Sequence, residues 1–170
     1  MSIVRLAKEC DFEAIFDLRA GLHSENGLRD SLGNPLPLDE DKVRTVLRRA
    51  LCPKDENGLF AGSQYPAWIG VIGTSDLIEG AVYLAADQPW YSKSLILIEL
   101  FVYVRPEYRQ SSHFQRLVAW SKRFSSEIGI QPLMMGIITT DREPAKSRLY
   151  RKHLGEPAGS TFLYMGNGGI

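Results

Sequence analysis

Cysteine is scarce in this chain, two in 170 residues. Cys10 and Cys52 stand far apart, with neither CxxC spacing nor neighbouring histidines. That excludes a zinc motif and the disulfide framework of a small secreted domain, and both thiols are expected reduced in a cytoplasm. Charge of one sign is equally lacking. Twenty Lys and Arg balance twenty Asp and Glu, so no overall field draws the chain toward nucleic acid or anionic lipid. Long apolar runs are missing too: the greasiest stretch, Leu95 to Val104, is about half of what a membrane span needs. Arg5, Lys8, Glu9 and Asp11 near the start have no apolar segment behind them, so no signal peptide is expected. There is no internal repeat, and the Gly- and Pro-rich stretches are short, so one domain over residues 1–170 is expected. The three histidines have no Asp and Ser at spacings that suggest a hydrolase triad. No metal-ligand set is visible.

What is present is ordinary globular composition, 44% apolar and 24% charged. A chain of this length buries about two-thirds of its unfolded surface, so it folds without a metal or disulfide staple.

Ile3 to Leu6 reads as a short strand, with Asp11 as the N-cap of a helix carrying Phe12, Ile15, Phe16, Leu18 and Leu22. A loop over Gly27 to Leu38 precedes a second helix, Asp39 to Leu51. Trp68 to Gly73 and Ile78 to Ala85, joined by a turn near Ser75-Asp76, predict an antiparallel hairpin. Leu95 to Val104 is a long strand, Ser112 to Ile128 a helix, Pro132 to Thr139 a strand and Glu143 to Leu154 a helix stopped by Gly155. Thr161 to Met165 reads as a last strand. The passage from Leu95 to Thr139 is then a right-handed parallel crossover between otherwise antiparallel strands. The class is α/β (α+β): a mixed, mostly antiparallel sheet with one central parallel pair and helices on both faces.

Within the long strand apolar residues fill both faces, as in a strand covered on two sides. Glu99 is the exception. A buried carboxylate there meets a partner, faces a cavity or keeps its proton through a raised pKa, the condition of a general base. The alternative is a structural arginine partner or an opening onto solvent at a sheet edge. After the strand, Arg105-Pro106-Glu107-Tyr108-Arg109-Gln110-Ser111-Ser112-His113-Phe114 turns into a helix N-terminus, where free amides and the helix dipole favour a phosphate. Arg109 adds a mobile cation, and His113 either contacts phosphate or sits in the first helical turn. Equally, Ser111 or Ser112 caps the helix unaided. Trp90 and Tyr91, before the strand, are candidate acceptor-pocket walls. Leu22 to Leu38 is another.

This strand, loop and helix resemble the acetyl-CoA site of the GCN5-related N-acetyltransferases (GNAT), whose signature is (Gln/Arg)-x-x-Gly-x-(Gly/Ala). Arg109 takes its first position, while Ser112 and Phe114 replace its glycines. Downstream, Thr140-Asp141 and Glu143 to Gly155 are similar to the family's Asn-x-x-Ala-x-x-Leu-Tyr-x-Lys-x-Gly helix: Leu149, Tyr150 and Lys152 match, Glu143 and Lys146 depart from Asn and Ala, and Gly155 comes one residue late. Ser112 is a mild change; a Phe114 ring lying along the loop obstructs the donor, whereas one turned into the core with Leu117 and Val118, which helical spacing favours, leaves the site open.

The resemblance implies a cytoplasmic enzyme that passes an acetyl group from acetyl-CoA directly to an amine acceptor, without a metal. It implies that Arg109, Gln110, Ser111, Ser112, His113 and Phe114 hold the pyrophosphate, with Glu143 or nearby Asp141 taking over the contact of the missing Asn. It places a bulge at about Val102, Tyr103 and Val104, whose free backbone groups pair with the pantetheine arm. Glu99 is then the general base and Tyr150 the acid that protonates the thiolate. Two rivals stand beside this reading: a non-catalytic binding module of the same fold, and a phage-type relative that modifies nucleic acid, against which the zero net charge argues. No membrane is implied, and a homodimer is left open.

Overall fold

A computed structural model describes residues 3–26, 34, 36–51, 64–136 and 143–157. Asp141, Cys52, the distal half of the strand expected at Pro132–Thr139 and the strand expected at Thr161–Met165 lie outside the described residues. The elements are β1 (Arg5–Leu6), α1 (Phe12–Asn26), α2 (Glu40–Leu51), β2 (Ala67–Gly73), β3 (Ile78–Asp87), β4 (Ile96–Val104), α3 (His113–Glu127), β5 (Leu133–Met134) and α4 (Glu143–Leu154). Short 3-10 turns cover Glu9–Asp11 and Pro106–Tyr108.

The five strands lie in chain order across one sheet. β1 to β4 pair antiparallel. β4 and β5, joined through α3, pair in parallel through Leu97–Leu133 and Ile98–Met134. This is the expected crossover.

The sheet separates two apolar layers. On one face Ile69, Val71, Ala81, Tyr83, Phe101 and Tyr103 pack with Ile15, Phe16 and Leu18 of α1 and Leu47 and Leu51 of α2. On the other, Ile72, Val82, Leu84, Leu97 and Val104 pack with Leu117, Trp120 and Phe124 of α3. The second layer is tight at Gly70, where a Cβ would lie 2.5 Å from the Trp120 ring. Only glycine lets the indole reach the strand there. No helix among the described residues is long and apolar enough to cross a membrane.

Asp11 departs from its expected role. It is fully buried in the turn before α1, and its carboxylate looks backward. It accepts from both ends of the Arg5 fork at 2.7 and 2.8 Å and from the Lys8 N–H at 2.7 Å. A bidentate guanidinium is a stronger partner than a first-turn amide, so the aspartate joins β1 to α1 and does not cap the helix. The Arg5 hydrogen bonds hold its pKa down at about 2.

Candidate active site

β4 carries an irregularity that its saturated apolar sequence conceals. Phe101 pairs with Tyr83 and Glu99 with Leu84, leaving Leu100 as one extra residue. This is a β-bulge, and it reverses the strand's alternation. Leu97 before it faces the α3 layer, whereas Phe101 and Tyr103 after it face the α1–α2 layer. The bulge therefore sits at Leu100 and not at Val102–Val104, which continue the ladder with Gly80, Ala81 and Val82.

Val102 and Val104 nonetheless have backbone groups to offer, for a different reason. The Arg105 N–H donates to the Glu79 carbonyl at 2.9 Å. By antiparallel alternation Tyr103 directs its backbone at β3, while Val102 and Val104 direct theirs the other way. Among the described residues β5 pairs only with Leu97 and Ile98, and none of them makes a backbone bond to the outward side of Val102. The Tyr103 ring lies on the opposite face, and its hydroxyl donates to Glu25 Oε1 at 2.5 Å. Burial and that bond push its pKa up to about 12.

Glu99 stands one residue beyond the last β4–β5 pair among the described residues, Ile98–Met134. Its Oε2 accepts from the Gly136 N–H, just past β5, at 3.2 Å and from the Tyr150 hydroxyl of α4 at 3.2 Å. Burial raises its pKa to about 7 against the opposing pull of those two hydrogen bonds. Tyr150 is pushed well above the ordinary phenol range, first by burial and then by the Glu99 charge. Phe114 is half-buried, packs on the layer that contains Leu117, and meets Tyr150 edge-on with ring centroids 5.4 Å apart. Its ring thus braces the tyrosine.

The loop after β4 keeps its backbone open and its side chains occupied. Arg109 is engaged on three sides. Its Nε donates to the Val104 carbonyl at 3.1 Å, its Nη2 pairs with Glu25 Oε2 from α1, and its guanidinium lies 5.3 Å from the centre of the Tyr103 ring. His113 is buried, with Nε2 at 2.5 Å from Glu79 Oε2 and its ring stacked on Tyr108. Its side chain therefore faces β3, and burial, not full pairing, withholds it from a phosphate, since Nδ1 has no hydrogen-bond partner. Ser111 Oγ accepts from the His113 N–H at 3.2 Å and donates to the Tyr108 carbonyl at 2.5 Å. Ser112, at the N-cap, makes no side-chain cap bond. The first bond of α3 runs from the Arg116 N–H to the Ser112 carbonyl, so the Phe114 and Gln115 amides have no acceptor within the helix. Gln110, Ser111 and Ser112 are exposed around them.

The structure thus brings Glu99, Tyr150 and Phe114 together beside the open edge of Val102 and Val104, and sets the Ser112 loop at the end of the same strand. Two partners were invisible beforehand. Gly136 acts through its backbone, and Glu25 reaches Arg109 across 84 positions of sequence. Trp90 and Tyr91 form an exposed edge-to-face pair in the β3–β4 connection. Among the described residues no group of three or more His, Cys, Asp or Glu side chains is placed to hold a metal.

No protein-family model matches the chain, and no curated protein sequence matches it. Solved structures do. AAC(6')-Iy in complex with the bisubstrate analogue CoA-S-monomethyl-acetylneamine superimposes with a TM-score of 0.67 at 13% identity, covering 96% of this chain and 97% of that one. A possible acetyltransferase from Clostridium difficile 630 gives 0.66 at 18% identity over 96% and 97%. A GNAT family acetyltransferase from Staphylococcus aureus gives 0.57 at 16% identity over 96% and 100%.

Proposed function

We propose, on a fold shared with the GNAT acetyltransferases, that this chain transfers an acetyl group from acetyl-CoA to a primary amine by direct attack in a ternary complex. The observation that carries the reading is the Glu99–Tyr150 pair, one residue beyond the last β4–β5 pair among the described residues. The neighbour bound to a CoA bisubstrate analogue supports the choice of donor.

The residues fit that donor. Ser112, exposed and with no cap bond to make, and the amides of Phe114 and Gln115 form an anion-binding helix N-terminus. Phe114 stands clear of them because its ring is turned to Tyr150 and the core. Arg109 and His113 shape this loop from beneath: both are held by carboxylates, Glu25 and Glu79. The outward backbone of Val102 and the Val104 N–H are available to an amide-bearing arm laid along β4, the Val104 carbonyl being taken by Arg109.

The chemistry follows from the titration of the pair. An alkyl ammonium has a reference pKa of about 10.4 and must lose a proton before it attacks. Glu99, with its pKa raised to about 7, is poised to accept one at neutral pH. The nitrogen then forms its bond to the thioester carbon, an outward N–H of Val102 or Val104 donates to the oxyanion, and collapse breaks the C–S bond. Tyr150 gives its proton to the departing thiolate. A phenol so far above its ordinary range is a poor acid toward a thiolate of reference pKa about 8.5. The hydrogen bond to Glu99 resolves this, because Glu99, now protonated, no longer raises Tyr150 and hands its own proton on as the phenol's leaves. Two protons leave the ammonium on the way to the amide: the one taken by Glu99 ends on sulfur, the other passes from the tetrahedral nitrogen to solvent, and both side chains return to their starting state.

The test is calorimetry with acetyl-CoA and CoA, followed by an acceptor screen that reads free thiol. Donor binding with thiol release that depends on the amine supports the reading. Absence of donor binding overturns it, and binding without turnover on any amine favours a non-catalytic module.

A further inference from the structure

The last two turns of α1 close on the end of β4. At Gly21 an added Cβ would lie 3.5 Å from the Tyr103 hydroxyl, an ordinary contact, and Glu25 stands one turn further along the same side of the helix. Its carboxylate completes a network of three side chains. Oε1 accepts from the Tyr103 hydroxyl at 2.5 Å, Oε2 pairs with Arg109 Nη2, and the Arg109 guanidinium lies 5.3 Å from the centre of the Tyr103 ring. Each member touches both others. Arg109 Nε, donating to the Val104 carbonyl at 3.1 Å, fixes the same fork from a further side.

The network decides which way the cation faces. Tyr103 belongs to the layer that β4 shares with α1 and α2, whereas Phe114 and Leu117 at the start of α3 belong to the other. Arg109 is three residues before Ser112, so the two Cα atoms lie within about 11 Å of each other. Its charge is nonetheless drawn to the α1 side of the strand, while the free amides of Phe114 and Gln115 open the helix on the α3 side. Arg109 and Glu25 are each 32% exposed, and a pair so placed is worth little on its own, which leaves it open to exchange. An anion arriving at the α3 N-terminus thus competes with Glu25 for one nearby guanidinium.

We infer that Glu25 is a positioning residue of the donor site: it holds the Arg109 guanidinium off the pyrophosphate, so that the donor is bound by uncharged groups and CoA leaves readily after transfer. This rests on the acetyltransfer reading. A cation on the pyrophosphate would hold acetyl-CoA and CoA alike, raising affinity for substrate and product together without speeding the chemical step.

Calorimetry with CoA, dephospho-CoA and pantetheine tests this on the wild type, on Glu25→Gln and on Glu25→Gln combined with Arg109→Met. Glutamine keeps an oxygen for the Tyr103 hydroxyl and gives up the charge that holds Arg109. Glu25→Gln should bind CoA and dephospho-CoA about three- to tenfold more tightly than the wild type, and the gain should fade at high salt. Pantetheine, which carries no pyrophosphate, should gain nothing, and adding Arg109→Met should remove the gain. A merely structural contact predicts weaker binding of all three ligands instead. Unchanged or weaker CoA binding by Glu25→Gln, a gain shared by pantetheine, or a gain that survives Arg109→Met overturns the inference. A wild-type complex with CoA needs no variant and should show Arg109 still on Glu25; a guanidinium within hydrogen-bond distance of the pyrophosphate overturns the inference as well. Failure of the wild type to bind CoA overturns the acetyltransfer reading and this inference with it, whereas wild-type binding without the shift overturns the inference alone.

Discussion

Replacing Glu99 with glutamine separates what this carboxylate does for chemistry from what it does to stability. Burial lifts its pKa from 4.5 to about 7. Between those two values the folded chain holds a proton that the unfolded chain has released, so stability falls as pH rises through the window and levels off above it. A shift of about 2.5 units at about 1.4 kcal/mol each makes the ionised carboxylate cost on the order of 3 kcal/mol at pH 8. Glutamine keeps an oxygen for the Gly136 N–H and the Tyr150 hydroxyl and cannot ionise. Glu99→Gln is therefore expected to match the wild type near pH 4 and to exceed it by about 3 kcal/mol at pH 8, a rise of about 6–12 °C in Tm for a chain this long. The same variant should lose about a hundred- to ten-thousandfold in turnover, the usual worth of a positioned base. Urea melts at half-unit pH steps, read beside thiol release, measure both quantities. Parallel stability profiles would refute the claim of a raised pKa, and full turnover in the variant would refute the role as base.

Tyr150→Phe should lower turnover with little change in acetyl-CoA affinity by calorimetry, and combined with Glu99→Gln it should cost far less than the product of the two single effects, since both serve one proton path. Independent, multiplying effects would separate the two roles. Ser112→Asp places a negative charge at the α3 N-terminus and should weaken CoA binding at least tenfold; undiminished binding would move the donor elsewhere. Asp11→Asn should cost about 2 kcal/mol at neutral pH, because its pKa is held at about 2 and the stabilisation lies above the unfolded value, vanishing as pH falls toward 2. Denaturation at pH 7 and pH 2.5 decides this. Gly70→Ala should destabilise by about 1–3 kcal/mol through collision with Trp120, and a neutral result would show that the indole yields.

Regular periodicity made most of the frame legible. The helices read as Asp39–Leu51, Ser112–Ile128 and Glu143–Leu154 are observed within a residue of those limits, and the Trp68–Ala85 hairpin and the parallel crossover follow from alternation and connection length. Glu99 stood out as a lone carboxylate in an apolar run. The same run hid the bulge: where both faces of a strand are buried, one inserted residue leaves no mark on the hydrophobic pattern. The role of Asp11 was misjudged and the partner of Arg109 missed for a shared reason. Each has a charged side chain whose role is fixed by a partner, Arg5 in one case and Glu25 in the other, and local spacing carries no record of such pairings.

Among the described residues the Gly136–Glu99 contact extends the peptide pairing of β4 and β5 by a rung made from a side chain. A peptide rung is blind to acidity and to substitution, but this one can be protonated, shortened to aspartate or erased by alanine while the main chain stays as it is. The tie between those strands at that point is thereby a heritable variable set at a single codon, and a lineage can retune which molecules enter beside it without rebuilding the sheet.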